Sequence, residues 1–230
     1  NYIFGNTNSK DYLTGNYINV PLKKKKSKFS STTNEYCDNF IKISEKFNFD
    51  IIEIHNRPLV FSYLKKIIDK KFILYFHNDP LSMTGSKTVN ERINLLSLCS
   101  KIIFNSDWSK NRFLTNLDDI YIKSPKLIVI RQSADTQKVN FRKKEKIITF
   151  VGKLNSSKGY DLFGEAIIKI LNKYPNWSAV VAGNEPREKY YFKHKNLKIF
   201  PWLPHKKILK LYDLSSISVV PSRWEEPFGR

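Results

Sequence analysis

The sequence predicts an α/β protein of two Rossmann-like domains, each a parallel sheet with helices on both faces, the second incomplete. Three observations carry this expectation. Short apolar runs of strand length alternate with amphipathic runs of helical spacing. The alternation breaks at the charged stretch Phe141-Arg-Lys-Lys-Glu-Lys146 and then restarts. Polar and glycine residues gather directly after the strand runs, where parallel sheets bind ligands. The boundary is placed inside the charged stretch, giving a first domain over 1–143 and a second over 144–230.

Taken in order, the first thirty residues carry little signal. Tyr17-Ile-Asn-Val20 reads as a short strand and Lys23–Lys26 as a solvated loop. Thr32-x-x-Glu35 has the spacing of a capping box, followed by Cys37, Phe40, Ile41 and Phe47 on one helical face. Asp50–His55 is a strand candidate. Pro58 then opens a helix through Leu59, Leu64, Ile67 and Ile68. Lys71-Phe-Ile-Leu-Tyr-Phe76 is nearly all apolar, as a strand buried on both faces should be. Val89–Leu98 reads as a helix and Lys101–Phe104 as a strand, after which Ser106 caps a short helix through Trp108 and Phe113. In the second half Ile147–Val151 is a strand, Tyr160–Lys173 a helix, and Trp177–Ala182 and Lys198–Phe200 are strands. Pro204 starts a helix through Ile208, Leu211 and Leu214, and Ile217–Val220 closes the series.

Composition narrows the function classes. Of 230 residues 41% are hydrophobic and 14% aromatic, which is globular composition. The longest apolar run, Phe72–Phe76, falls far short of the roughly 18 residues a membrane helix needs. No stretch reads as a secretion signal. Cys37 and Cys99 both sit in apolar patterns and read as buried reduced thiols, which favours a reducing compartment. The only methionine is Met83, so Asn1 is read as an internal position and the chain as a fragment or processed product. The formal charge is +19. It reads either as a polyanion-binding surface or as lysines spread over solvated faces. No nucleic-acid motif accompanies it, so nucleic acid is not expected as a partner.

The chemistry-bearing residues follow the strands. His55-Asn-Arg-Pro58, His77-Asn-Asp-Pro80 and Asn105-Ser-Asp107 stand in the first half. Gly152-Lys153, Gly183-Asn-Glu185 and Pro221-Ser-Arg-Trp-Glu-Glu226 stand in the second. Together they predict one lined cleft. Gly152-Lys-Leu-Asn-Ser-Ser-Lys-Gly159 is the most informative segment. Its glycines allow a tight turn into a helix start that favours an anion, and Lys153 and Lys158 would flank a diphosphate. The segment reads equally well as an ordinary strand–turn–helix connection, and its spacing is not that of a P-loop. His77 and His55 are candidate functional histidines or simply packed ones; His194 and His205 read as surface or loop residues. Glu225 and Glu226 suit sugar hydroxyls, which carboxylates accept as hydrogen bonds. No Cys/His cluster has metal spacing.

Three segments resemble family 4 (group 1) retaining glycosyltransferases of the GT-B fold. These are Phe150–Gly159, Val180-Val-Ala-Gly-Asn184, and Val219-Val-Pro-Ser-Arg-Trp-Glu-Glu-Pro-Phe-Gly229, the most specific. Tyr75-Phe-His77 and Ile103-Phe-Asn-Ser106 add to the resemblance, which covers roughly residues 50–230. It implies an acceptor-side first domain and a donor-binding second domain. It further implies transfer of a hexosyl group from a nucleotide-diphosphate sugar, with retention, to a glycan or lipid-linked acceptor in surface polysaccharide or lipopolysaccharide synthesis. Gly152, Lys153, Lys158 and Gly159 would hold the donor diphosphate. Gly183, Glu226, Pro227, Phe228 and Gly229 would contact the donor sugar or nucleotide. His77 and Glu226 would be catalytic, with His55 and Asn78 on the acceptor side. No metal or other cofactor is implied. A cytoplasmic protein, peripheral on an anionic inner membrane face, would suit a lipid-linked acceptor. The alternatives are another GT-B enzyme, such as a nucleotide-sugar epimerase or a glycan phosphorylase, and a non-enzymatic basic module for glycans or membranes. The sequence departs from the family in four places. Lys153 stands where arginine is common, and Gln132-Ser-Ala-Asp135 replaces Asn-Gly-x-Asp. The second motif glutamate would lie beyond Arg230, and an early glycine-rich loop is lacking.

Overall fold

The structure is a computed structural model that describes residues 1–6, 16–22, 31–133 and 141–228. The Lys23–Lys26 run, Ala134, Asp135 and Gly229 lie outside the described residues. The chain divides into two compact units, residues 1–134 with 226–230, and residues 135–225.

In the first unit β1 (Ile3–Gly5) pairs in parallel with β2 (Tyr17–Asn19). Then follow α1 (Thr32–Ser44), β3 (Ile51–His55), α2 (Pro58–Leu64), β4 (Lys71–Phe76), α3 (Val89–Leu98), β5 (Lys101–Phe104), α4 (Asp107–Leu114), α5 (Asp119–Ile122) and β6 (Leu127–Val129). The main sheet is parallel in the order β3-β4-β5-β6. All four strands therefore end on one edge, which carries His55, His77 and Asn105. Phe72, Phe76, Phe104 and Phe113 are fully buried in its core, each worth about 1.5–3 kcal/mol of transfer free energy.

Several local expectations shift. Ser31, not Thr32, caps α1, accepting from the Asn34 N–H at 3.3 Å. A serine hydroxyl one residue upstream serves the same free N–H groups equally well. The reciprocal capping box occurs instead at Thr88 and Glu91, with bonds of 2.9 and 3.2 Å. Helix α2 stops at Leu64; Ile67 N–H closes a turn on the Leu64 carbonyl and its side chain stays exposed. The chain must double back there to enter β4. Cys37 and Cys99 are buried free thiols, and burial pushes them up to about 11 and about 12.

The second unit contains β7 (Glu145–Val151), α6 (Tyr160–Lys173), β8 (Ser178–Ala182), β9 (Leu197–Phe200), α7 (His205–Leu214) and β10 (Ser215–Ser218). Its sheet is parallel in the order β10-β7-β8-β9. Strand β10 lies two residues earlier than expected. Its pairing with β7 begins at Ser215, and although Val219 N–H still reaches the Thr149 carbonyl at 2.9 Å, Pro221 has no N–H to continue. Helix α6 buries Tyr160, Phe163, Ile167 and Leu171 against Ile148, Phe150 and Val181, matching its apolar spacing. No helix among the described residues is long and apolar enough to cross a membrane.

Candidate functional site

In the second unit the carboxyl ends of β7, β8 and β10 meet in close backbone contacts, two of which, at Gly159 and Gly183, leave no room for a Cβ. Gly152 N–H donates to the Ala182 carbonyl at 3.0 Å, and Gly183 N–H to the carbonyls of Phe200 and Pro201 at 3.1 Å. A Cβ on Gly183 would lie 1.7 Å from the Gly152 oxygen. Gly159 has φ +71°, and a Cβ there would lie 2.1 Å from the Pro221 oxygen. Gly152, Gly159 and Gly183 thus belong to one packed junction.

Between the glycines runs a 3-10 turn, Ser156–Lys158, capped by Asn155. The Asn155 Oδ1 accepts from Lys158 N–H at 3.1 Å and Ser157 Oγ at 3.0 Å, and its backbone oxygen takes the Tyr160 N–H at 3.1 Å. Lys153 is exposed and Lys158 half-buried. Glu188 Oε2 accepts the Ser156 N–H at 2.9 Å, which holds its carboxyl below the usual range. At the start of α6 the Asp161 carboxylate accepts from Arg223 at 2.8 Å on each oxygen. One N–H of the loop expected to meet a phosphate, that of Ser156, is therefore taken by the protein's own Glu188. Arg223 also donates to the Ser156 carbonyl at 2.7 Å, while its own N–H and that of Trp224 bond the Ser157 carbonyl. The Pro221–Trp224 segment is thereby stitched to the lysine loop.

Glu185 is buried and forks onto Arg187 at 2.7 and 2.8 Å. That guanidinium, helped by Lys153, holds its carboxyl down at about 2. Glu226 is exposed, Pro227 buried and Phe228 half-buried.

In the first unit His55 and His77 meet. His55 Nδ1 lies 2.7 Å from His77 Nε2. His55 Nε2 lies 2.9 Å from Glu53 Oε1, and Gln132 Nε2 2.6 Å from His77 Nδ1. The Tyr75 ring stacks on His77 at 4.3 Å between centroids. Asn56, at φ +53°, accepts the N–H groups of His77 and Asn78 on one oxygen, at 2.7 and 3.3 Å. Asn105 Nδ2 donates to the His77 carbonyl at 2.8 Å. Asn78 itself is exposed. His194 lies in a loop, where its Nδ1 accepts the Asn196 N–H, and His205 is exposed at the start of α7. Among the described residues no cluster of His, Cys, Asp or Glu could hold a metal ion.

Sequence reasoning missed Glu53, Asn56, Gln132, Asn155, Glu188 and Arg223. Period-two alternation along β3 puts Glu53 and His55 on one face, a signal that could have found the first. Asn155 caps the turn that follows it, a local signal that could have found it as well, and the others act between distant segments, which spacing does not encode.

Residues 131–230 match the family model described as Glycosyl transferases group 1. YtcC of Bacillus subtilis (strain 168), provisionally named a glycosyltransferase, is 24% identical over 213 residues, covering 80% of this chain and 52% of YtcC. Spore coat protein SA of the same organism is 26% identical over 215 residues, 81% of this chain and 57% of its own length. The chain spans about half the length of these curated relatives. Among solved structures, Anabaena Alr3699/HepE in complex with UDP and glucose aligns with a TM-score of 0.67 at 15% identity, over 93% of this chain and 62% of that one. TarM aligns at 0.61 and 14%, over 83% and 41%. These likenesses show the fold, a mixed α/β architecture of parallel sheets flanked by helices, as in GT-B glycosyltransferases. Residues 131–230, the C-terminal part of the chain, are thus similar to the group 1 glycosyltransferases.

Proposed function

We propose that the chain carries the donor site and part of the acceptor side of a retaining glycosyltransferase that moves a hexosyl group from a nucleotide-diphosphate sugar to a glycan or lipid-linked acceptor. One observation carries the reading most: the Gly152–Gly159 turn, pinned by Gly183 and Pro221 contacts that exclude any side chain, presents two lysines at the carboxyl edge of a parallel sheet. Lys153 and Lys158 bind the diphosphate, and Lys158 stabilises charge on the departing phosphate. Glu226 accepts from sugar hydroxyls, with Pro227 and Phe228 beside it in the chain. His77 serves as the acceptor-side catalyst. The solved relative that binds UDP and glucose supports a uridine nucleotide as the first donor to try. No residue set calls for a metal in this scheme. Action at the inner face of a membrane, in surface polysaccharide synthesis, fits the +19 charge. No observation favours an epimerase, a phosphorylase or a non-enzymatic module.

The test is calorimetric titration with UDP, GDP and their glucose conjugates, for the native chain and for Lys158→Ala. The native chain binds one nucleotide selectively. The variant loses on the order of tenfold or more in affinity, as expected for one charge-assisted contact. Unchanged affinity in the variant removes Lys158 from the site, and absence of binding by the native chain removes the donor site itself.

A further inference from the structure

With both histidines neutral, the line of side chains Glu53, His55, His77 and Gln132 has one direction. A carboxylate only accepts, so the 2.9 Å contact with Glu53 Oε1 places a proton on His55 Nε2. A neutral His55 then has a bare Nδ1, which at 2.7 Å must accept from His77 Nε2–H. His77 in turn has a bare Nδ1, and at 2.6 Å the Gln132 amide nitrogen donates to it. Every donor finds an acceptor, and no lone pairs face each other. The reverse direction fails for neutral histidines. It would turn a bare His55 Nε2 toward the Glu53 carboxylate.

We propose that Glu53, His55 and Gln132 are positioning residues that hold His77 as the Nε2–H tautomer, with Nδ1 as its lone-pair nitrogen. Stacking on Tyr75 fixes the plane of the ring, and the Asn56 and Asn105 bonds to the His77 backbone fix its origin. What remains free in an imidazole so held is the choice of nitrogen that carries the proton, and Glu53 and Gln132 make that choice from opposite ends. The bearing on catalysis rests on the reading of His77 given above; the direction of the chain does not.

The chain has four histidines, so long-range proton–nitrogen spectra of the labelled native chain are few-lined, and His55→Gln and His77→Gln assign them. Both His55 and His77 are expected to carry their proton on Nε2 near neutral pH. A proton on Nδ1 of His77 overturns the proposal, whatever the chain's activity. Gln132→Glu places a carboxylate against Nδ1 and is expected to draw a proton there. The kinetic consequence is read on hydrolysis of UDP-glucose as the probe reaction. Gln132→Glu is expected to lower kcat roughly tenfold or more while KM stays within about twofold, as loss of a partner that fixes a histidine does elsewhere. A switched tautomer with unchanged kcat overturns the positioning role. A native chain with the expected tautomers but no turnover sinks the transferase reading and leaves the directed chain standing.

Discussion

Replacing Gly183 by alanine tests whether the second unit's site depends on backbone packing. The added Cβ meets the Gly152 oxygen at 1.7 Å, its carbonyl carbon at 2.9 Å and Leu154 Cδ2 at 3.2 Å. A relaxed carbon–oxygen contact needs about 3.3 Å, so the β7–α6 turn must retreat by roughly 1.5 Å. The obstacle is backbone, and no side-chain rotation relieves it. Overpacking of this kind costs about 1–3 kcal/mol. Because the retreat moves the lysine loop itself, affinity for UDP is expected to fall by on the order of 100-fold, as misplacements of about 1 Å can cost. Gly152→Ala is the internal control. Its Cβ meets only the Phe150 ring, at 3.8 Å, so it should lie within about 0.5 kcal/mol of the native chain. Urea unfolding gives the stabilities and calorimetry the affinities. Equal stability for the two variants, or Gly152→Ala as the weaker, refutes the packing argument without reference to any ligand.

Two further outcomes follow from the same geometry. Arg187 depresses the Glu185 carboxyl to about 2, below its unfolded value near 4.3; the pair's contribution is therefore fully present above about pH 4.3 and lost as pH falls toward 2. Unfolding free energy measured from pH 6 to pH 2.5 should fall more steeply for the native chain than for Arg187→Ala, and parallel curves would remove the pair from the acid response. Arg92 is buried and donates to the carbonyls of Ser86, Lys87 and Thr115 at 3.4, 2.7 and 2.6 Å. Arg92→Met should cost about 1–3 kcal/mol by leaving those acceptors without donors, with denaturant midpoints as the measure.

How much of this was legible in the sequence differs by length scale. Helix α6 was delimited to the residue because fourteen positions carry its period and Gly159 closes the preceding turn. Strand β4 was equally clear from its apolar composition. Strands β1 and β6 have three residues each, too few for any period to show. The lysine loop was placed correctly between a strand and a helix, but the Glu188 carboxylate on its Ser156 amide and the Arg223 side chain on Asp161 were not foreseen. Asp161 is local to that loop and was legible in principle as an acidic first-turn residue. Glu188 reaches Ser156 across 32 positions, and no spacing rule spans that distance. The meeting of His55 and His77 follows from parallel pairing of β3 with β4, which sets His55 opposite Tyr75; sequence supplied both strands but not their register.

The single oxygen of Asn56 that receives two successive N–H groups has a consequence for tolerance to change. The bend carrying His77 is anchored from the strand ends on both sides, by Asn56 on its N–H groups and by Asn105 on its carbonyl. Residues 84–87, which lead into α3, are held separately, by the buried Ser86 hydroxyl on the Pro80 carbonyl and by Arg92 on the Ser86 and Lys87 carbonyls. A substitution at Asn56 that removes its side-chain oxygen leaves the His77 and Asn78 N–H groups without that acceptor and should loosen the histidine cluster even where the sheet survives.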